Sequence, residues 1–223
     1  MRKLAATLAA VAVGVTAPAG AGTPPKVDPS DFVRRVDNPW FPLRPGTTYV
    51  FEGVKDGKRA RDVFAVTRKT KTILGVKTTV VHDRLFLNGK LAEKTTDWYA
   101  QNKRGDVVYF GEATRALDKH GRLTDTAGSW KAGVDGARAG IYMPARPKRG
   151  QAFQQEYYKG HSEDRFRIVR KDGPFIRTRE WTPLEPGVID AKYYARGVGT
   201  VREAGVKGSN EHLDLISVKR SCR

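Results

Sequence analysis

From residue 38 onward, apolar and polar positions alternate in short runs separated by turn residues. Thr47–Val54 and Arg61–Arg68 lie either side of Asp56-Gly57, with Tyr49 and Phe51 on one face of the first run and Thr48 and Glu52 on the other. Period-two alternation around Asp-Gly predicts a β-hairpin, because both turn residues tolerate positive φ. The pattern repeats. Lys77–Leu87 and Leu91–Gln101 flank Asn88-Gly89, and Asp106–Glu112 follows a turn at Lys103–Gly105. Phe153–Tyr158, Arg165–Lys171, Phe175–Thr182, Tyr193–Arg202 and Glu211–Val218 continue it, with Gly or Pro at most junctions. Such a series predicts an all-β domain, an antiparallel meander. A flat sheet of about ten strands would be unusual, so it is expected to curl into a barrel or half-barrel. No long stretch carries helical periodicity.

Two regions depart from this pattern. Residues 125–150, "DTAGSWKAGVDGARAGIYMPARPKRG", are Gly-rich and lack clean alternation. They are expected to form a long loop, pinned by Trp130 and Ile141-Tyr142-Met143 or laid over the mouth of a barrel. At the N-terminus, Arg2 and Lys3 precede the apolar run Leu4–Thr16 and small residues at Ala17, Ala19 and Ala21. That layout predicts a secretory signal peptide over residues 1–21 and a secreted or cell-envelope protein. Residues 22–36 follow as a flexible lead-in with one short helical turn capped by Asp28 or Ser30, and 37–220 as a single β domain. No later segment is apolar enough to cross a membrane.

Charge narrows the partners. Lys and Arg number 41 against 24 Asp and Glu, a formal +17. A balance this basic favours an anionic envelope polymer or anionic lipid headgroups, or serves solubility alone. Nucleic acid is not expected, since the basic stretches lack interleaved stacking aromatics. The single cysteine, Cys222, stands beside the C-terminus, which excludes an internal disulfide and disfavours a catalytic thiol.

A set of short motifs carries a resemblance. "DWYAQ" (97–101), "YFGE" (109–112), "GSWKAGVDGA" (128–137), "MPARP" (143–147) and "QEYYKGHSED" (155–164) occur in this order. In this the chain resembles a family of exported bacterial proteins to which no activity has been assigned. "YYARGVGTV" (193–201) is similar to a closing-strand pattern of LolA-like and lipoprotein-like curled-sheet periplasmic proteins. Asn102 stands where that family usually has Asp, Val108 where Trp is common, and Arg196 where Pro is common. The resemblance implies export and β architecture, and no chemistry.

Candidate chemistry centres on residues 93–112. On a strand, Glu93, Thr95, Asp97, Tyr99 and Gln101 share one face, opposite Lys94, Thr96, Trp98 and Ala100. On the next run, Val108, Phe110 and Glu112 alternate with Val107 and Tyr109. A face with two carboxylates, a phenol and an amide either meets water or lines a polar cavity, because burying such groups unpartnered is costly. Convergence of Glu156, His161, Glu163 and Asp164 with Glu93, Asp97 and Asp135 would suit a hard cation, but turn residues and ion pairs to arginine explain these acids as well. His82, His120, His161 and His212 show no metal-ligand spacing, so no metal is expected. G-x-S-x-G and nucleotide-binding glycine motifs are lacking, so no cofactor is expected. The expected function is binding of an amphipathic small molecule in the curl or of an anionic envelope polymer on the basic face. Asp97, Trp98, Tyr99, Glu112, Trp130, Tyr142 and Glu156 are the candidate ligand-binding residues, aromatics giving contact area and acids orientation. The alternatives are a cell-wall or extracellular polymer hydrolase or lyase using Asp97, Glu112 and Glu156 as acid/base groups, and a structural envelope protein.

Overall fold

A computed structural model of the chain describes residues 23–221. The expected signal peptide and Cys222 lie outside the described residues. The strands are β1 (Phe32–Val33), β2 (Thr47–Lys55), β3 (Lys58–Ile73), β4 (Val76–Leu87), β5 (Lys90–Asn102), β6 (Val107–Leu117), β7 (Leu123–Asp125) and β8 (Trp130–Lys131). They continue as β9 (Arg138–Met143), β10 (Ala152–Gln154), β11 (Glu156–Tyr157), β12 (Arg165–Asp172), β13 (Phe175–Trp181), β14 (Ile189–Ala195), β15 (Gly199–Lys207) and β16 (His212–Arg220). Helical structure among the described residues is one 3₁₀ turn, Pro29–Asp31, whose N-cap is Asp28. The all-β, antiparallel expectation is met.

One meander makes the wall, in the order β12-β13-β14-β15-β16-β2-β3-β4-β5-β6-β9. The hairpins form where the turn chemistry requires them: Asp56-Gly57 and Asn88-Gly89 all have positive φ, which gives the two-residue turn whose twist matches the strands. The wall then closes. β10 pairs with β12 and β11 pairs with β9, so the single segment 152–157 joins the two ends of the meander. At this seam Gln155 N donates to Asp164 O at 2.8 Å. Gly140 is required there, since a Cβ would lie 2.1 Å from the Gln155 carbonyl oxygen.

Residues 36–46 close one end of the barrel. Val36 and Leu43 pair across this segment, and Trp40, Phe41 and Leu43 are buried. Gln101 holds it: its Oε1 accepts from Asp37 N at 2.9 Å and Asn38 N at 2.7 Å, and its Nε2 donates to Asp37 Oδ1 at 2.7 Å. Asn38 Nδ2 donates to Gly105 O and Pro144 O, while Gly197 N donates to Pro39 O. The last residue of "DWYAQ" therefore fastens the cap.

Three expectations are corrected. Residues 193–202 are not one strand: β14 ends at Ala195 and β15 begins at Gly199, because Gly197 (φ +82°) and Gly199 (φ +107°) turn the chain. The region 125–150 is not one loop, since β8 and β9 lie in it and both pair with β6, making it wall rather than a lid on the mouth. The later part of the lead-in is built into the fold. β1 pairs with Gln101 and Asn102, and the Phe32 ring packs edge-on against Phe110 at 5.5 Å.

Candidate functional site

Asp97 on β5 and Glu112 on β6 are direct cross-strand partners. Simple alternation would put Glu112 on the face opposite Tyr109. The register shifts between Trp98 and Tyr99, where Trp98 pairs with Gly111 and Tyr99 with Tyr109, leaving Phe110 as an extra residue. This β-bulge turns both Tyr109 and Glu112 to the Asp97 face, correcting the alternation expected for β6. Gly111 makes the bulge: its φ is +128°, and a Cβ would lie 2.3 Å from Trp130 O.

The result is a buried triad. Asp97 and Tyr109 are 0% and Glu112 2% exposed, and Tyr109 Oη lies 2.6 Å from Asp97 Oδ1 and 3.1 Å from Glu112 Oε2. A phenol has one proton, so it donates to only one of these carboxyls at a time. The second contact becomes a hydrogen bond when a carboxyl keeps its proton and donates to the phenol oxygen. Burial, then the charges of Glu112 and Asp83, push Asp97 well above the usual carboxylate range, against a lowering by the Tyr109 hydroxyl. A carboxyl that favours its neutral form supplies that proton.

Aromatic rings enclose the triad. Tyr99 stacks on Tyr109 with centroids 4.6 Å apart, Tyr142 meets both edge-on, and Trp130 meets Tyr109 at 5.4 Å and 87°. Burial and then the Asp97 charge push the phenols of Tyr99 and Tyr109 well above their ordinary value. Asp97 Oδ2, Tyr99 Oη and Trp130 Nε1 are buried without a hydrogen-bond partner among the described residues. Each such atom costs about 1–3 kcal/mol.

Next to the triad is a cavity open to solvent, about 770 Å³ with the open solvent at its mouth included. Phe41, Tyr49, Phe64 and Tyr142 give it aromatic walls, and Asp62, Asp83, Glu93 and Glu203 line it with acid. A second space of about 810 Å³, also counted to solvent, shares Lys55, Lys192, Glu203 and Leu213 with the first and lies toward the uncapped end. Between the two, Lys192 Nζ is 3.0 Å from Glu180 and 3.9 Å from Glu203. Burial lowers its pKa, but Glu180 and then Glu203 outweigh burial and hold the ammonium well above its ordinary pKa. In the first cavity, burial and then the Asp83 charge push Asp62 well above the carboxylate range.

The candidate residues thus divide. Tyr142 lines the cavity. Asp97, Tyr99, Glu112 and Trp130 form the buried cluster behind it. Glu156 is buried at the seam opposite Ala139, where its charge reaches Tyr109. Trp98 points to the other face of β5, under Lys71 Nζ at 3.8 Å from its ring. Asn102 holds the turn to β6 through Asp106. Asp135 is in an exposed turn and Glu163 accepts from Gly160 N, each serving local structure. No group of three or more His, Cys, Asp or Glu side chains among the described residues is arranged to hold a metal ion, and no helix among them is long and apolar enough to cross a membrane. Asp62, Asp83, Lys192 and Glu203 were not singled out by motif. Their signal was available as alternation, Asp62 with Phe64 and Lys192 with Tyr194, placing charged groups on an aromatic face.

No protein-family model and no curated protein sequence matches the chain. Among solved structures it is similar to a Bacteroides fragilis protein described as exported and of YmcC-like fold, at 14% identity and a TM-score of 0.46, covering 81% of this chain and 99% of that one. A Parabacteroides distasonis protein described as a lipoprotein is similar at 11% identity and a TM-score of 0.35, covering 81% of this chain and 98% of that one.

Proposed function

We propose that this protein is an exported binding protein that takes a small amphipathic molecule into the interior of its barrel. The observation that carries the reading is the cavity, lined by aromatic and charged side chains together, inside a nearly closed wall capped at one end. Apolar walls with a few fixed polar groups are the usual composition of a small-molecule site. Export rests on the charged, apolar and small-residue order of the first 21 residues. Of the three acids on which a hydrolytic reading would depend, Asp97 and Glu112 are behind the lining and engaged by Tyr109, and Glu156 is buried at the seam.

Native mass spectrometry of protein purified from the exporting cell tests this. A bound mass is expected on the wild type and not on Thr200→Trp, which fills the cavity from its wall. Thr200→Trp that keeps the same bound mass, or a wild type that carries and accepts no small molecule, would sink the reading.

A further inference from the structure

Arginines on the outer wall fall into two settings. Arg61 meets Glu52 across β2 and β3 at 2.7 Å, and Arg202 meets Asp214 across β15 and β16 at 2.9 Å. On β12 and β13 an arginine stands opposite another arginine, Arg167 against Arg179 and Arg170 against Arg177. Like charges directly opposite each other destabilise a sheet. Phe166, Ile168, Ile176 and Thr178 alternate with them and are buried, so all four arginines are on the outer face. Arg170 has an exposed partner in Asp172, but the side chains of Arg167, Arg177 and Arg179 make no hydrogen bond or ion pair among the described residues.

We propose that this face is a second binding site, independent of the interior one, for a linear phosphodiester polymer, each arginine pair holding one phosphate. Charge alone does not single the face out. Arg84, Lys94 and Arg115 also form a row, across β4, β5 and β6, but all three are exposed and none has a ring under its charge among the described residues. Arg165 and Arg177 are instead half-buried, each with its Nε enclosed and without a hydrogen-bond partner among the described residues. An arginine kept for solubility would extend and satisfy that nitrogen in water. Arg177 also sits beside Tyr193, 5.6 Å from the ring centroid. A guanidinium placed over a ring keeps its edge N–H groups for a fork contact with an oxyanion.

Spacing selects the polymer. Arg177 and Arg179 are two residues apart on β13, so the two arginine pairs recur about 7 Å apart along the strands. Phosphates joined by a three-carbon diol are six bonds apart, roughly 7 Å when extended, about twice the reach of the three bonds between successive Cα atoms. Carboxylates borne on every residue of an extended polypeptide recur at about half that distance. A phosphodiester also has two non-bridging oxygens that share its charge, one for each guanidinium of a pair. Bound there, it relieves the repulsion that the fold otherwise bears. The third rung, Arg165 opposite Trp181, extends the same track and gives an indole beside the chain.

Titration calorimetry of the exported protein with a glycerol-phosphate hexamer, repeated over a range of salt concentrations, tests the inference. The wild type is expected to bind, and Arg177→Gln and Arg179→Gln each to bind about fivefold more weakly or worse. Each lost phosphate contact should also flatten the slope of log K against log salt by about 0.7, the single-strand value. Arg179 is exposed, so its variant is expected to fold even where Arg177→Gln does not. Lys94→Gln, in the exposed basic row, and Thr200→Trp, in the cavity, should bind as the wild type does. Equal losses in Lys94→Gln and Arg179→Gln would mean diffuse attraction to the surface and overturn the site. Polyglutamate of equal charge bound as tightly as the hexamer would overturn the phosphodiester class. Binding of phosphatidylglycerol vesicles that Arg179→Gln abolishes, with no binding of the hexamer, would make lipid headgroups the occupant and overturn the polymer.

Discussion

Asp97 and Glu112 face each other across β5 and β6 with the Tyr109 hydroxyl between them, 2.6 Å from one and 3.1 Å from the other. Two fully buried carboxyls around one phenol form a proton-sharing cluster, and this gives a defined dependence of stability on pH. Asp97 has its folded pKa raised above the unfolded value of about 3.9. Between those two values the native state binds more protons than the unfolded one, so stability falls as pH rises through that window. The stabilising proton is fully in place below the unfolded pKa and is lost as pH passes the folded one.

Asp97→Asn removes this dependence while keeping the shape. Its melting temperature is expected to match the wild type near pH 4 and to equal or exceed it at pH 7, where the unfolded wild-type chain ionises freely a carboxyl that burial holds toward its neutral form in the fold. Asp62 still titrates upward in both proteins, so the difference between the two curves, rather than either curve alone, is the measurement. A large loss of stability in Asp97→Asn at pH 7, about 3–5 kcal/mol, would instead mean that a cation depends on its charge.

Gly111→Ala tests the bulge that assembles the cluster. The substitution places a Cβ 2.3 Å from Trp130 O at a φ of +128°. A loss on the order of 3 kcal/mol in urea unfolding is expected, from backbone strain and displacement of β8. Gly57→Ala also has positive φ but meets nothing within 4 Å, and should lose clearly less. Equal losses at the two sites would show that contact with β8 contributes nothing.

The legibility of this chain follows from which features are local. Hairpins at Asp56-Gly57 and Asn88-Gly89 were readable because turn type depends on two residues and alternation on their neighbours. The inward acidic face of β5 was readable for the same reason, as Asp97 and Tyr99 are two apart. Alternation sets Glu112 opposite Tyr109 because the bulge at Phe110-Gly111 shifts the period by one, and a single glycine inside an alternating run does not announce its φ. The seam at Gln155 and Gly140 joins segments by tertiary contact, which no local pattern encodes. The cavity acids escaped for a related reason. Asp62 and Asp83 lie on the paired neighbours β3 and β4, but Glu203 comes from β15, far away in sequence, and only the curl of the sheet brings it to them.

Lys192→Met separates the cavity's ion pairs from its shape. Methionine fills a similar volume, but Glu180 and Glu203 then lose the ammonium between them. Breaking a buried pair from one side costs about 3–5 kcal/mol, and a loss of that order in chemical denaturation is expected at pH 7. The sign follows from Glu203, whose carboxyl Lys192 helps hold below its ordinary range against burial. That stabilisation is present above the unfolded pKa of about 4.3 and lost as pH falls through the folded one. The deficit of Lys192→Met should therefore shrink on acidification. A deficit independent of pH would assign it to packing alone.

The outer surface makes a separate prediction. With nine acids turned toward the cavities, the formal +17 of the chain is concentrated on the exterior, and removal of Arg2 and Lys3 with the expected signal segment would leave +15. Exposed charges act through solvent, and the Debye length shrinks from about 30 Å at 0.01 M salt to about 8 Å at physiological ionic strength. Sedimentation with phosphatidylglycerol vesicles is expected to show binding at low salt that weakens at least roughly tenfold over that range, and none to phosphatidylcholine. Asp62→Asn and Thr200→Trp, which alter only the interior, should bind the vesicles as the wild type does. Absence of binding at low salt would leave solubility as the role of the basic surface. Loss of binding in the interior variants would mean that the two surfaces are coupled, and the separation of an acidic interior from a basic exterior would no longer explain the charge of this chain.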